Sequence, residues 1–242
     1  MVELRLYTAV AAVRFCHEVP IFKYMFKSKK VLVIGGTSGI GQMIATVFQD
    51  MNCDVTAAGR KQWNFNTEDC PYDLGSFDTV IFSAGIDADG NKNFLDQDFD
   101  RINLTLQTNL ISQMRWFHQY CQERKDPSRV FFVGSKSACE VVDSNKVAYC
   151  VSRIAIRAFV NAMRSELAEK QKPIQLVLLR PGATVTNFYR NKHDHEISDS
   201  ENQAYYNRTN GITLDQLRIQ IEPIIRGEAS LVEEIIIGTF SI

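Results

Sequence analysis

Tyr149 and Arg153 stand four residues apart in the run Tyr149-Cys-Val-Ser-Arg153. On a helix that interval puts both side chains on one face, where a cation can stabilise the ionised form of a phenol. An unperturbed tyrosine ionises near pH 10, so about one molecule in a thousand is ionised at pH 7, and a downward shift of about two units matters to proton transfer. A second chemically loaded stretch lies upstream, where residues 31 to 41 read VLVIGGTSGIG and lead into the helix-like segment Gln42 to Gln49. Glycines at 35, 39 and 41 let the chain turn sharply out of a buried strand, admit a pyrophosphate to the backbone, and start a helix whose free N–H groups face the anion. A glycine triplet alone is weak evidence; the strand before it and the helix after it make this one a nucleotide cradle.

The elements that must position these residues follow in order. Cys53 to Ala58 reads as a second strand, ending in Gly59, Arg60 and Lys61. An acid about 20 residues beyond the cradle would take the adenosine ribose hydroxyls and favour NAD, whereas an arginine there can meet the 2′-phosphate of NADP. Arg60 and Lys61 read alone as solvated loop charges, but their place after the strand favours phosphate, and NADP(H) is the expected cofactor. Trp63 to Asn66 is expected as a third strand and Phe77 to Gly85 as a fourth. Residues Asp98 to Gln122 have helical periodicity, with Asn109 inside an apolar stretch where its amide must find partners. Val130 to Val133 is a buried strand leading into Gly134-Ser135-Lys136-Ser137, and a long helix then runs to Lys170. Its apolar residues, from Ile154 and Ile156 to Leu167, form a core or dimer face. Ile174 to Leu179 is a further strand, Leu214 to Ile225 a helix, and Glu234 to Gly238 the last strand. The expectation is a doubly wound, Rossmann-type α/β fold: a seven-stranded parallel sheet with helices on both faces.

The cradle spacing, Gly-x-x-x-Gly-x-Gly, resembles the short-chain dehydrogenase/reductase family. Gly35, Gly39, Ile40 and Gly41 match the family's Thr-Gly-x-x-x-Gly-Ile-Gly, with Thr37 and Ser38 inside the loop and Ile34 where threonine is usual. The resemblance continues in the family's order from about residue 30 to the C-terminus. It implies that Ser83, Ala84 and Gly85 line the cofactor and that Asn64 stands where an aspartate often touches the adenine. In Pro181-Gly182-Ala-Thr-Val-Thr186, it implies that the backbone around Ala183 and Val185 meets the nicotinamide amide and that Thr186 meets the pyrophosphate. Ser135 with Tyr149 resembles the catalytic Ser and Tyr-x-x-x-Lys. The tyrosine would then give a proton to a carbonyl oxygen as hydride arrives, the serine would polarise that oxygen, and Asn109 would help hold a water chain. Ser135 lies fourteen positions before Tyr149 and Ser137 twelve, against a usual thirteen; strand alignment favours Ser135, with Ser137 as the alternate. Arg153 takes the place of the family's lysine. It keeps the positive charge, but its planar guanidinium neither copies the compact lysine contacts to the nicotinamide ribose nor passes a proton onward. The implied activity is an NADP(H)-dependent oxidoreductase interconverting a carbonyl and an alcohol; the alternative is a non-catalytic NADP-binding sensor or interaction protein.

Composition fits one globular domain over residues 30–242, preceded by an extension at 1–29. A formal net charge of −1 and a near-neutral balance point to a small-molecule substrate rather than nucleic acid. The six cysteines are scattered without a Cys-x-x-Cys pair, as expected of reduced thiols in a cytoplasmic protein. No metal is expected: His193-Asp-His195-Glu lacks a further ligand set and reads as a solvated loop. Residues 188–211 are polar and aromatic without periodicity, with Tyr205 and Tyr206 as candidate pocket residues. Leu4 to Phe26 is apolar but interrupted by ionisable groups at Arg5, Arg14, His17, Glu18 and Lys23. A transmembrane segment is therefore not expected, and an amphipathic helix packing on protein is favoured over one lying on a membrane. The resemblance also implies pairing through the Ser152 to Lys170 helix, as a homodimer or homotetramer.

Overall fold

A computed structural model of the chain describes residues 29–88, 92–136, 146–192, 197–227 and 234–237. Residues 1–28 of the 1–29 extension, Ser137, the stretch His193 to Glu196 and Gly238 at the expected end of the last strand lie outside the described residues. Strands β1 (Lys30–Ile34), β2 (Asp54–Ala58), β3 (Thr79–Phe82), β4 (Ser128–Val133), β5 (Ile174–Pro181) and β6 (Glu234–Ile237) form one sheet in the order β2-β1-β3-β4-β5-β6. Every neighbouring pair is parallel. The α-helices among the described residues are α1 (Gly39–Asp50), α2 (Phe99–Leu106), α3 (Ser112–Glu123), α4 (Val147–Glu169), α5 (Asp199–Arg208) and α6 (Leu214–Ile225).

The strands are apolar on both faces because both faces are covered. Leu32, Val80, Phe82, Val130, Phe132 and Leu178 point to the side of α3 and α4, where they meet Trp116, Phe117, Ile156 and Val160. Their alternates Val31, Val33, Ile81, Phe131, Val177 and Leu179 point to α1 and α6, against Ile44, Phe48, Leu217 and Ile221. Arg129 crosses to that second layer, where its guanidinium donates to the carbonyls of Ile224 and Ile225 and so closes the C-terminal end of α6.

The sheet has six strands among the described residues, not the expected seven. Trp63 to Asn66 does show the period-two burial of a strand, with Trp63 and Phe65 inside and Asn64 and Asn66 partly exposed. Its backbone, however, is used in local turns. The Gly59 carbonyl accepts from the N–H groups of Gln62 and Trp63, and the Asn64 carbonyl from those of Thr67 and Glu68. Those bonds take the place of a ladder on β2. Trp63 stacks edge-on against Trp116 at 4.9 Å, and Trp116 donates through Nε1 to the Phe65 carbonyl at 2.7 Å, so the segment is held by α3 instead.

Two further differences concern helices. The rod expected over 98–122 is interrupted by a π-helical turn, Gln107–Ile111, between α2 and α3. Helix α5 lies within the stretch that has no apolar periodicity. It was nonetheless signalled at its start, where Ser198 and Glu201 form a reciprocal capping box.

Candidate active site

The site lies at the C-terminal ends of the strands, where an open parallel sheet presents its loops. Gly35 has a φ of +83°, and a Cβ there would come within 2.5 Å of the Ala84 backbone N. At Gly41 a Cβ would run into the Gly35 carbonyl oxygen and approach Ser83 Oγ at 3.0 Å. The β1–α1 turn is thus packed directly on the Ser83-Ala84 end of β3, whose N–H groups donate to the Ile34 carbonyl at 2.9 Å each. Gly39, with φ +54°, faces Thr186 across the cradle. Ser38 stands at the N-cap of α1 and makes no side-chain cap bond, and Ile40 lies in that helix's first turn. The turn therefore offers an anion the start of a helix flanked by positions where side chains have been removed. These residues fit a dinucleotide pyrophosphate.

Thr37 lies over Gly59, where a Cβ would overlap its hydroxyl. The cradle and the end of β2 are therefore in contact, and Arg60 and Lys61 follow there, both exposed. Asn64 is half-buried further along the same loop, its N–H donating to Glu68 Oε2 at 2.9 Å.

At the other end, Asn109 occupies the middle of the π turn and is fully buried. Its Oδ1 accepts from the Ile86 N–H at 2.8 Å, and its Nδ2 donates to the Ile86 carbonyl at 2.8 Å and to Ser152 Oγ at 3.1 Å. Ser152 in turn donates to the Tyr149 carbonyl at 2.7 Å. Tyr149 sits in the first turn of α4, half-buried, its ring 5.7 Å from that of Phe188. One turn on, Arg153 is only 4 % exposed. Its Cζ lies 5.1 Å from the centre of the Tyr149 ring and its Nη1 donates to the Val133 carbonyl at 3.2 Å. Nη2 fills the space over Gly85, where a Cβ would overlap it. Ser135 is buried two residues beyond Val133, and its carbonyl accepts from Arg180 Nε at 3.4 Å.

The turn after β5 pairs with Ile212. The Val185 N–H donates to the Ile212 carbonyl, and the Ala183 carbonyl accepts from the Ile212 N–H, both at 2.9 Å. Those backbone groups are therefore engaged with residue 212. Because alternate residues of extended backbone point to opposite edges, the edge facing away from Ile212 belongs to Thr184. Thr186 uses its Oγ1 to accept from the Phe188 N–H, and its carbonyl accepts from the Tyr206 hydroxyl. Tyr206 is therefore buried as a strut. Tyr205 instead stacks on Tyr189 at 3.9 Å, with Lys146 Nζ 5.6 Å from its ring. Burial pushes the Tyr205 hydroxyl above its ordinary range, with Lys146 pulling it back.

A family model described as short chain dehydrogenase matches residues 62–197, more than half of the chain. The chain belongs to the short-chain dehydrogenase family. The matched stretch contains Asn109, Ser135, Tyr149, Arg153 and Pro181 to Thr186, and it begins just after Lys61. Members of this family are oxidoreductases that act on CH–OH and C=O groups. Among solved structures, a small-chain dehydrogenase in complex with NADPH is similar at a TM-score of 0.71 and 19 % identity, over 87 % of this chain and 96 % of its own. A short-chain dehydrogenase/reductase of unknown function from Caenorhabditis elegans, with cofactor, gives 0.71 at 18 % identity, over 89 % and 95 %. A 3-oxoacyl-[acyl-carrier protein] reductase from Brucella melitensis in complex with NAD gives 0.67 at 16 %, over 86 % and 95 %. At such identities the likeness is one of fold. The comparison with curated protein sequences gave no match. No helix among the described residues is long and apolar enough to cross a membrane.

Proposed function

We propose that this short-chain dehydrogenase is an NADP(H)-dependent oxidoreductase that interconverts a carbonyl and an alcohol. The observation that carries the reading is the contact set of Arg153, which joins the Tyr149 ring, the strand end leading to Ser135, and Gly85 beside Asn109. Gly35, Gly39, Ile40 and Gly41, with Thr37 and Ser38, would hold the pyrophosphate with Thr186, and Ser83 to Gly85 would line the cofactor. Of the turn that begins Pro181-Gly182, Thr184 rather than Val185 would meet the nicotinamide amide. Arg60 and Lys61 would take the 2′-phosphate, which is why NADP(H) is favoured, and Asn64 would border the adenine. When bound, the nicotinamide supplies or accepts hydride. Tyr149 gives its hydroxyl proton to the substrate oxygen in reduction and takes it back in oxidation. The Ser135 hydroxyl polarises that oxygen, and Asn109 fixes Ser152 under the first turn of α4. NADPH-bound and NAD-bound neighbours of the same fold support a nicotinamide dinucleotide.

The burial of Arg153 favours a second reading. A lysine in the family's position would reach a ribose, whereas this guanidinium is turned into the strand ends, as in a protein that binds NADP(H) without turning it over. Titration with NADPH and NADH, followed by nicotinamide fluorescence, is the first test, and a carbonyl panel the second. Tighter binding of NADPH, with turnover lost in Tyr149→Phe, supports the enzyme. Binding without turnover, with activity created by Arg153→Lys, supports the sensor, and no binding sinks both.

Residues 30–242 would act as one domain. A homodimer through α4 is part of the reading, supported by the exposed Val151 and Ile154 on α4 and by Leu104 and Ile111 on the neighbouring rod. Light scattering tests it. A cytoplasmic location is assumed with it.

A further inference from the structure

The π turn that carries Asn109 is clamped from outside by one amide. Asn66 donates through Nδ2 to Thr108 Oγ1 at 2.8 Å and accepts through Oδ1 from Ser112 Oγ at 2.9 Å. Thr108 and Ser112 bracket Asn109, and both are buried. Gln107 Nε2 donates to Ser112 Oγ at 3.0 Å, which leaves the serine proton for Asn66. A π turn is a rare interruption of an α-helix, and hydrogen bonds from outside to its two ends favour it over the regular helix. Asn66 directly follows an anchored stretch, held by the buried rings of Trp63 and Phe65 and by the bond from Trp116 to the Phe65 carbonyl. It belongs to the loop that begins with Gly59, Arg60 and Lys61.

We propose that Asn66 is a positioning residue for Asn109: its amide spans Thr108 to Ser112, holds the π turn open, and so sets the bonds of Asn109 to Ile86 and Ser152. The loop of the expected adenosine end is thereby tied to the expected catalytic end. The bearing of this on turnover rests on the function proposed above; the clamp itself does not.

The direct readout is hydrogen exchange of the Ile86 amide, which donates to Asn109 Oδ1, measured by NMR on the protein without added ligand. In Asn66→Ala the Ile86 amide should exchange about tenfold faster, the effect of one lost hydrogen bond, while Val80 and Phe131 in the sheet keep their protection. Thr108→Val with Ser112→Ala should give the same acceleration, and adding Asn66→Ala to that pair should add nothing. Asn66→Asp can accept from both hydroxyls and should restore slow exchange. Unchanged exchange at Ile86 in Asn66→Ala, or acceleration shared equally by the sheet, overturns the proposal. If the wild type binds NADPH and turns over, Asn66→Ala should lower kcat and leave the KM for NADPH in place. Absence of NADPH binding by the wild type defeats the proposed function alone, since the exchange result stands without it.

Discussion

The cradle end and the tyrosine end of the site are built from different material. Around Gly35 and Gly41 the contacts are backbone against backbone, from β1 to the end of β3, and a single added methyl has nowhere to go. Around Tyr149 the contacts are side chains: a guanidinium on a ring, an amide on a hydroxyl, a guanidinium on a carbonyl. Backbone contacts dictate residue type narrowly, whereas side-chain contacts can be remade with another residue of similar charge. The first region accordingly rests on glycines at 35 and 41, and the second on the side chains of Asn109, Tyr149 and Arg153.

That contrast is sharpened first by Tyr149→Phe. Turnover should fall by roughly a hundred- to ten-thousandfold, the usual range for a lost general acid, with NADPH binding retained in the fluorescence titration. The cradle should behave in the opposite way. Gly41→Ala should cost about 3 kcal/mol or more in urea unfolding and abolish NADPH binding, because the neighbour it meets is backbone. Its control is Gly227→Ala. That glycine has φ +76° but nothing within 4 Å, so only the left-handed conformation is charged, at about 1–2 kcal/mol. If the two substitutions cost the same, close packing is not what fixes the cradle. Arg60→Ala should weaken NADPH about tenfold, the loss expected for one charge-assisted phosphate contact, and leave NADH unaffected.

The smallest effect lies behind the cradle helix, where Arg218 pairs with Asp50 of α1 and with Glu222. The bonds from Arg218 and then Arg226 hold the Glu222 carboxyl below its ordinary range. A lowered carboxyl contributes stability above its unfolded pKa and loses it as pH falls through the folded value. Glu222→Gln should therefore cost less than about 1 kcal/mol at pH 7, as for other solvent-screened pairs, and nothing in acid below the folded pKa. Urea midpoints at the two pH values check it.

Much of this architecture was legible because its signals are local. The run VLVIGG and the charges after Ala58 place the cradle and the loop beside it, and Asn109 is conspicuous as an amide in an apolar helix. The third strand was misread because burial at Trp63 and Phe65 alternates as in a strand, while the turns that consume its hydrogen bonds involve Gly59 and Asn64, which carry no such period. That the Ala183 carbonyl and the Val185 N–H are engaged by Ile212 is not legible in the sequence, because backbone edge direction depends on a pairing with a residue 27 positions away. The Asn66 clamp joins residues more than forty positions apart and has no sequence signature. Helix α5, by contrast, was announced by Ser198 and Glu201 and only its lack of an apolar stripe concealed it.

The chain contains only two tryptophans, and they are the pair Trp63 and Trp116, both buried and in edge contact. All of its indole emission therefore originates at one seam, between the loop after β2 and α3. A spectrum taken on the unlabelled protein reads that seam alone, so its wavelength should move when the loop leaves α3 and stay silent when the opposite layer, between α1 and α6, loosens.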